Sequence, residues 1–174
     1  MKVLVGYATA HGSTTGIAER IGAKFEQEGL SATVCPVSQI GAVNDYDAVV
    51  LGSAIHNQRW LPEAAALVRR ESSTLAAVPV WLFSVSSVGA QTSVFTPVVD
   101  RVIRKMSKET KEMAEFRGLL HARGHHGFAG AIEPGYYPLI GRLFMKLFGG
   151  RYGDHRDWAE VDAWAEGIAL ELRT

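Results

Sequence analysis

The sequence predicts an α/β fold, a doubly wound parallel sheet of five strands with helices on both faces. Three observations predict it. Short apolar runs alternate with helix-length amphipathic segments along the 174 residues, which is the rhythm of strand–helix–strand units. The first, third and fourth runs are almost continuously apolar, as strands covered on both faces must be. A turn rich in hydroxyls joins the first run to the first helix, at the strand end where such sheets bind ligands.

Taken in order, KVLVGY (Lys2 to Tyr7) is the first strand. Ile17, Ile21 and Phe25 then fall at i, i+4 and i+8 on one helical face, and Gly29 supplies the stop. ATVCPV (Ala32 to Val37) and DAVVLGS (Asp47 to Ser53) are the second and third strands, followed by a helix over Leu61 to Arg70. VPVWLFSVS (Val78 to Ser86) is the fourth strand, Thr96 to Glu115 a long helix, and GFAGAI (Gly127 to Ile132) the fifth strand. Trp158 to Leu172 is the closing helix. HARGHHGF, with His121, His125 and His126, reads as a solvated loop before strand five. Gly124 and Gly127 interrupt the i, i+4 spacing of a helical metal pair and no acidic or cysteine ligand lies between, so no metal is expected.

With 47% hydrophobic residues, the chain can fill one core, and residues 1–174 are expected to form a single domain. Eighteen basic residues balance eighteen acidic ones, so overall charge draws it neither to nucleic acid nor to an anionic membrane. One cysteine, Cys35, excludes an internal disulfide and reads as a small buried side chain in strand two. No basic, apolar leader opens the sequence and no window reaches about 18 apolar residues. A cytoplasmic location is expected, with an option of peripheral attachment at the inner face of the membrane.

The stretch YATAHGSTTGIAER (Tyr7 to Arg20) carries the chemistry. Thr9 to Thr15 lies at the end of strand one and the start of helix one, where free amides, the helix dipole and the hydroxyls of Thr9, Ser13, Thr14 and Thr15 can wrap a phosphate. The alternative is plain helix capping by Ser13 or Thr14. A nucleoside-triphosphate loop needs Gly-Lys-Ser/Thr, yet Gly12 is followed by Ser13 and Thr14. A dinucleotide fingerprint is missing, and Gly52-Ser53-Ala54 stands where a phospho-acceptor domain carries an aspartate. A monophosphate held by hydroxyls and amides remains.

Thr9, Gly12 and Thr14 match a Thr/Ser-x-Thr-Gly-x-Thr loop, and here the sequence resembles the flavodoxin family, with His11 where a hydroxyl is usual. GSAIHNQRW, FSVSSVG, GRLFMKLFGG and DWAEVDAW, in that order, sharpen the resemblance toward the menaquinone-dependent protoporphyrinogen oxidase branch. The resemblance implies a sheet in the order 2-1-3-4-5 and FMN as cofactor, its phosphate held by Thr9, Ala10, His11, Gly12, Ser13, Thr14 and Thr15. It places the flavin ring between the loops after strands three and four. The first would offer Ser53, Ala54, Ile55, His56 and Trp60, although Trp60 also fits as the first buried residue of the next helix. The second would offer amides and hydroxyls of Ser84, Ser86, Ser87, Val88 and Gly89. Gly89 to Phe95 lacks the charge expected of a longer basic segment in that branch.

One-electron carriers of this family are strongly acidic, whereas this chain is neutral and places Arg59 in the ring loop. The expected activity is therefore an FMN-dependent oxidoreductase passing electrons between an organic substrate, protoporphyrinogen being one option, and a quinone-like acceptor. A flavodoxin-type carrier and an NAD(P)H-dependent quinone or flavin reductase stay open, and no side chain is singled out as catalytic. Pro134 to Gly150 is too apolar for an ordinary loop and carries Arg142 and Lys146 on one side. It fits peripheral membrane contact, docking on a partner or in a homodimer, or packing on its own core.

Overall fold

The computed structural model describes residues 1–97, 99–101, 110–133, 135, 143 and 150–174. Strand β1 (Lys2–Ala8) leads into α1 (Ser13–Gln27), followed by β2 (Ser31–Pro36), β3 (Ala48–His56), a short β4 (Arg59–Trp60), α2 (Pro62–Arg70) and α3 (Ser72–Leu75). Then come β5 (Val80–Ser86), α4 (Lys111–Leu120), β6 (Gly124–Ala129), β7 (Ala131–Ile132), β8 (Gly153–Asp154) and α5 (Trp158–Glu171). The parallel sheet runs β2-β1-β3-β5-β6, with β4 folded back antiparallel on β3. Its five long strands keep the expected 2-1-3-4-5 order.

The near-continuous apolarity of the central strands is explained by two separate cores. Val3 and Val5 of β1 face one side and Leu4 the other, as the period-two alternation of a strand requires. On the first face Ile17, Ile21 and Phe25 of α1 meet Val161 and Ile168 of α5 over Val50 and Phe83. On the second, Leu67 of α2, Leu75 of α3 and Phe116 of α4 cover Leu51 and Leu82. Helix ends follow local chemistry: Gly29 turns left-handed at φ 78 behind α1, Pro62 opens α2, and the Asp157 carboxylate accepts from the amides of Ala159 and Glu160 to start α5.

Two expectations are corrected. The histidine-rich stretch is strand, not a solvated loop: β6 begins at Gly124, and His125 and His126 pair in register with Leu82 and Phe83. Each ring finds a polar partner, Ser84 Oγ at 2.9 Å for His125 and Glu160 Oε1 at 2.8 Å for His126, which is how a strand carries two histidines inward. The helix expected from Thr96 to Glu115 does not run unbroken. Thr110 is extended at φ −66, ψ 149, and its Oγ1 accepts from the Met113 amide, starting a new helix. Residues 102–109 lie outside the described residues, as does Pro134 to Gly150 apart from Gly135, Leu143 and Gly150. Among the described residues no helix is long and apolar enough to cross a membrane.

Candidate functional site

The sheet register brings the candidate residues to one edge. Ala8 pairs with Ser53, Ser53 with Ser84, and Ser86 with Ala129, so the carboxyl ends of β1, β3, β5 and β6 are level. The strand order reverses at β1, which opens a crevice between the loops after β1 and β3.

In the first loop Gly12 sits at φ 88, the left-handed region that glycine enters without penalty, with its amide bonded to Thr9 Oγ1 at 2.9 Å. A Cβ at Gly12 would meet nothing within 4 Å, so the loop faces open space. Among the described residues α1 has no side-chain cap, and no acidic residue lies in its first turn. Those amides and the positive helix end therefore point at an open position, which suits an anion. Ser13 does not cap the helix: its Oγ accepts from the Ala131 amide at 3.3 Å, tying the loop to the chain beyond β6. Thr14 is buried, Thr9 and Thr15 are partly buried, and Ala10 and His11 are exposed.

The second loop is a hairpin. β3 runs on to His56, Ile55 pairs with Trp60, and the connecting Asn57 and Gln58 both take positive φ, 49 and 63, the conformation of a two-residue type I′ turn. Of the two readings of Trp60, ring neighbour or first buried residue before the next helix, the structure places the side chain as the second describes. Its side chain is buried at 4% exposure, packs edge-on against Phe116 at 5.5 Å, and donates Nε1–H to Ser84 Oγ at 2.8 Å. This bond and that of His125 occupy the Ser84 hydroxyl, while the Ser53 hydroxyl donates to the Ala54 carbonyl and accepts from the Leu61 amide. Ala54 and Ile55 remain partly exposed and His56 exposed at the edge.

The third loop closes on itself. Val94 N–H donates to Ser87 O, Gly89 N–H to Thr92 O, and Val88 N–H to Ser86 Oγ, so these amides are already engaged rather than open to a pyrimidine edge. Gly89 is required by close approach: a Cβ there would lie 2.3 Å from the Ala129 nitrogen. The chain before α5 docks on this loop. Arg151 N–H donates to Val94 O, and Thr92 Oγ1 donates to His155 O. Between them lies a cleft of ≈ 560 Å³ lined by Thr92, Ser93, Phe95, Arg151, His155 and Trp158. The sequence reading missed these last residues, because nothing local marks a segment that docks from the far end of the chain.

Cys35 is partly buried, and that burial pushes its thiol pKa up, away from a reactive thiolate.

A family model described as a flavodoxin domain matches residues 4–157. The chain is 26% identical over 182 aligned positions to a protoporphyrinogen IX dehydrogenase (quinone) of Leishmania major, covering 97% of this chain and 74% of that one. It resembles the solved rubredoxin oxygen:oxidoreductase of Desulfovibrio gigas at a TM-score of 0.60 and 16% identity, covering 99% of this chain but only 36% of that larger one. It also matches a flavodoxin from the domain Archaea at a TM-score of 0.55 and 16% identity, over the whole of both chains.

Proposed function

The chain belongs to the flavodoxin domain family, and from that premise we propose that it is an FMN-dependent oxidoreductase moving electrons between an organic substrate and a quinone-like acceptor. The observation that carries the reading is the open first turn of α1. It has no side-chain cap among the described residues and no acid, is led by left-handed Gly12, and lies at the sheet's switch point. The residues fit the cofactor: Thr9 to Thr15 would hold its phosphate, and Ala54, Ile55 and His56 would border its ring. When bound, FMN supplies the electron-transfer chemistry, and the protein's share is binding, orientation and electrostatics.

Charge supports enzyme over carrier. Equal numbers of acids and bases leave no net charge to steer a charged redox protein from long range. The cleft beside the third loop, with Phe95 and Trp158 as apolar walls and both cations and carboxylates in its lining (Arg151, Arg156, Asp100 and Asp157), offers apolar contact and polar anchors to an organic substrate. Protoporphyrinogen is the first to try, because the Leishmania relative carries that name. The same relative's name includes quinone, which motivates the acceptor.

The test mixes anaerobically reduced, FMN-loaded protein with a water-soluble quinone in a stopped-flow instrument over a range of salt. Rapid reoxidation with weak salt dependence is expected. Reoxidation no faster than that of free reduced FMN, alongside strongly salt-dependent exchange with a small redox protein, would place the chain among the carriers.

A further inference from the structure

We infer that Arg156 is the counter-charge for the cofactor's terminal phosphate and makes this site select phosphorylated flavin over its dephosphorylated form; the inference rests on the FMN reading above. The Arg156 guanidinium lies against the first turn of α1. A Cβ built on Gly16 would fall 2.5 Å from its Nη1 and 3.7 Å from its Cζ, so a glycine is what admits it.

The group is fixed on its other sides. Nε and Nη2 donate to the two carboxylate oxygens of Asp154 at 2.8 and 2.6 Å, and the guanidinium carbon sits 4.5 Å from the centre of the Trp158 ring. Asp154 itself is anchored on β8, which pairs with β7, and the β7 residue Ala131 bonds Ser13 of the loop. The side chain is only 20% exposed. Nη1 is thus the nitrogen left to face the helix.

A helix N-terminus carries a partial positive charge, so a cation held beside it is unfavourable unless an anion is shared between them. The first turn of α1 holds no acidic residue to play that part. Asp154 offsets some of the charge but engages the other two nitrogens. A dianionic phosphate seated on the first-turn amides satisfies both the helix end and the guanidinium. The loop Thr9 to Thr15 has no lysine, and Arg156 supplies the missing positive charge from the segment before α5.

The experiment titrates apoprotein with FMN and, separately, with riboflavin, following quenching of flavin fluorescence. The proteins are the parent, Arg156→Gln, Arg156→Lys and Gly16→Ala. Loss of one charge-assisted contact in Arg156→Gln should weaken FMN about tenfold while riboflavin stays within about twofold. Arg156→Lys should recover part of the loss. Gly16→Ala, which favours the helix, should displace the guanidinium and weaken FMN alone. Equal loss of both flavins in Arg156→Gln would mean that Arg156 only packs the tail, and unchanged FMN affinity would remove it from the site; either overturns the inference. If the parent protein binds neither flavin, the FMN reading falls and takes this inference with it.

Discussion

Gly12 is the residue whose replacement should cost the proposed cofactor most. Aspartate there would take a left-handed φ of 88 and put a carboxylate where a phosphate should sit. Binding of FMN should weaken by about 3 kcal/mol or more through repulsion and exclusion, with the fold retained. Fluorescence titration of Gly12→Asp, with circular dichroism to check folding, decides it. Trp60 makes the opposite case. Its ring is core and its N–H is bonded to Ser84, so Trp60→Phe should cost about 1–2 kcal/mol of stability by leaving a buried hydroxyl short of a donor. Flavin affinity should barely move. A Trp60→Phe protein of parental stability and reduced FMN affinity would return the indole to the ring. The loop Thr9 to Thr15 was legible because a phosphate cradle at a strand–helix junction is local in sequence. Trp60 was not, because an aromatic residue ahead of a helix looks the same whether it faces a ligand or a core.

Helices α1 and α5 are joined by ion pairs as well as by packing. Arg20 meets Asp162 in a two-pronged contact at 2.6 and 2.5 Å, Lys24 lies 3.3 Å from Glu166, and Arg173 bonds Glu28. The hydrogen bond from Arg20 holds the Asp162 carboxyl below its ordinary value, and that from Arg173 does the same for Glu28. A depressed carboxylate pKa gives stability that is complete above the unfolded value and lost as pH falls through the folded one. The urea midpoint should therefore decline from about pH 4 downward, and Asp162→Asn should flatten part of that decline. A parent midpoint that stays level down to about pH 3 would remove these pairs from the account. At the third loop, Gly89→Ala would drive a methyl into the Ala129 backbone and should destabilise by about 2 kcal/mol or more; a thermal melt measures it. Strand and helix positions were legible for β1, β3, β5, α1, α2 and α5, where period and end signals agree. The start of β6 was not, because Gly124, His125 and His126 mimic a loop until Ser84 and Glu160 are brought opposite them. The hairpin at Asn57 and Gln58 lacks the glycine that usually announces such a turn.

Across the whole molecule, the fold was readable because alternation within single strands feeds two cores, one on each face of the sheet. Long-range assembly was hidden: the segment holding Arg151, His155 and Arg156 reaches the third loop and α1 only through tertiary contacts. The central claim, that this fold is built to carry FMN, is tested most directly by the visible absorption of the purified protein together with mass spectrometry of the small molecule released on denaturation. A flavin spectrum and the mass of FMN, or stoichiometric uptake of FMN by protein purified colourless, is the predicted result. Protein that is folded, colourless and unable to take up FMN at saturating concentration would contradict it.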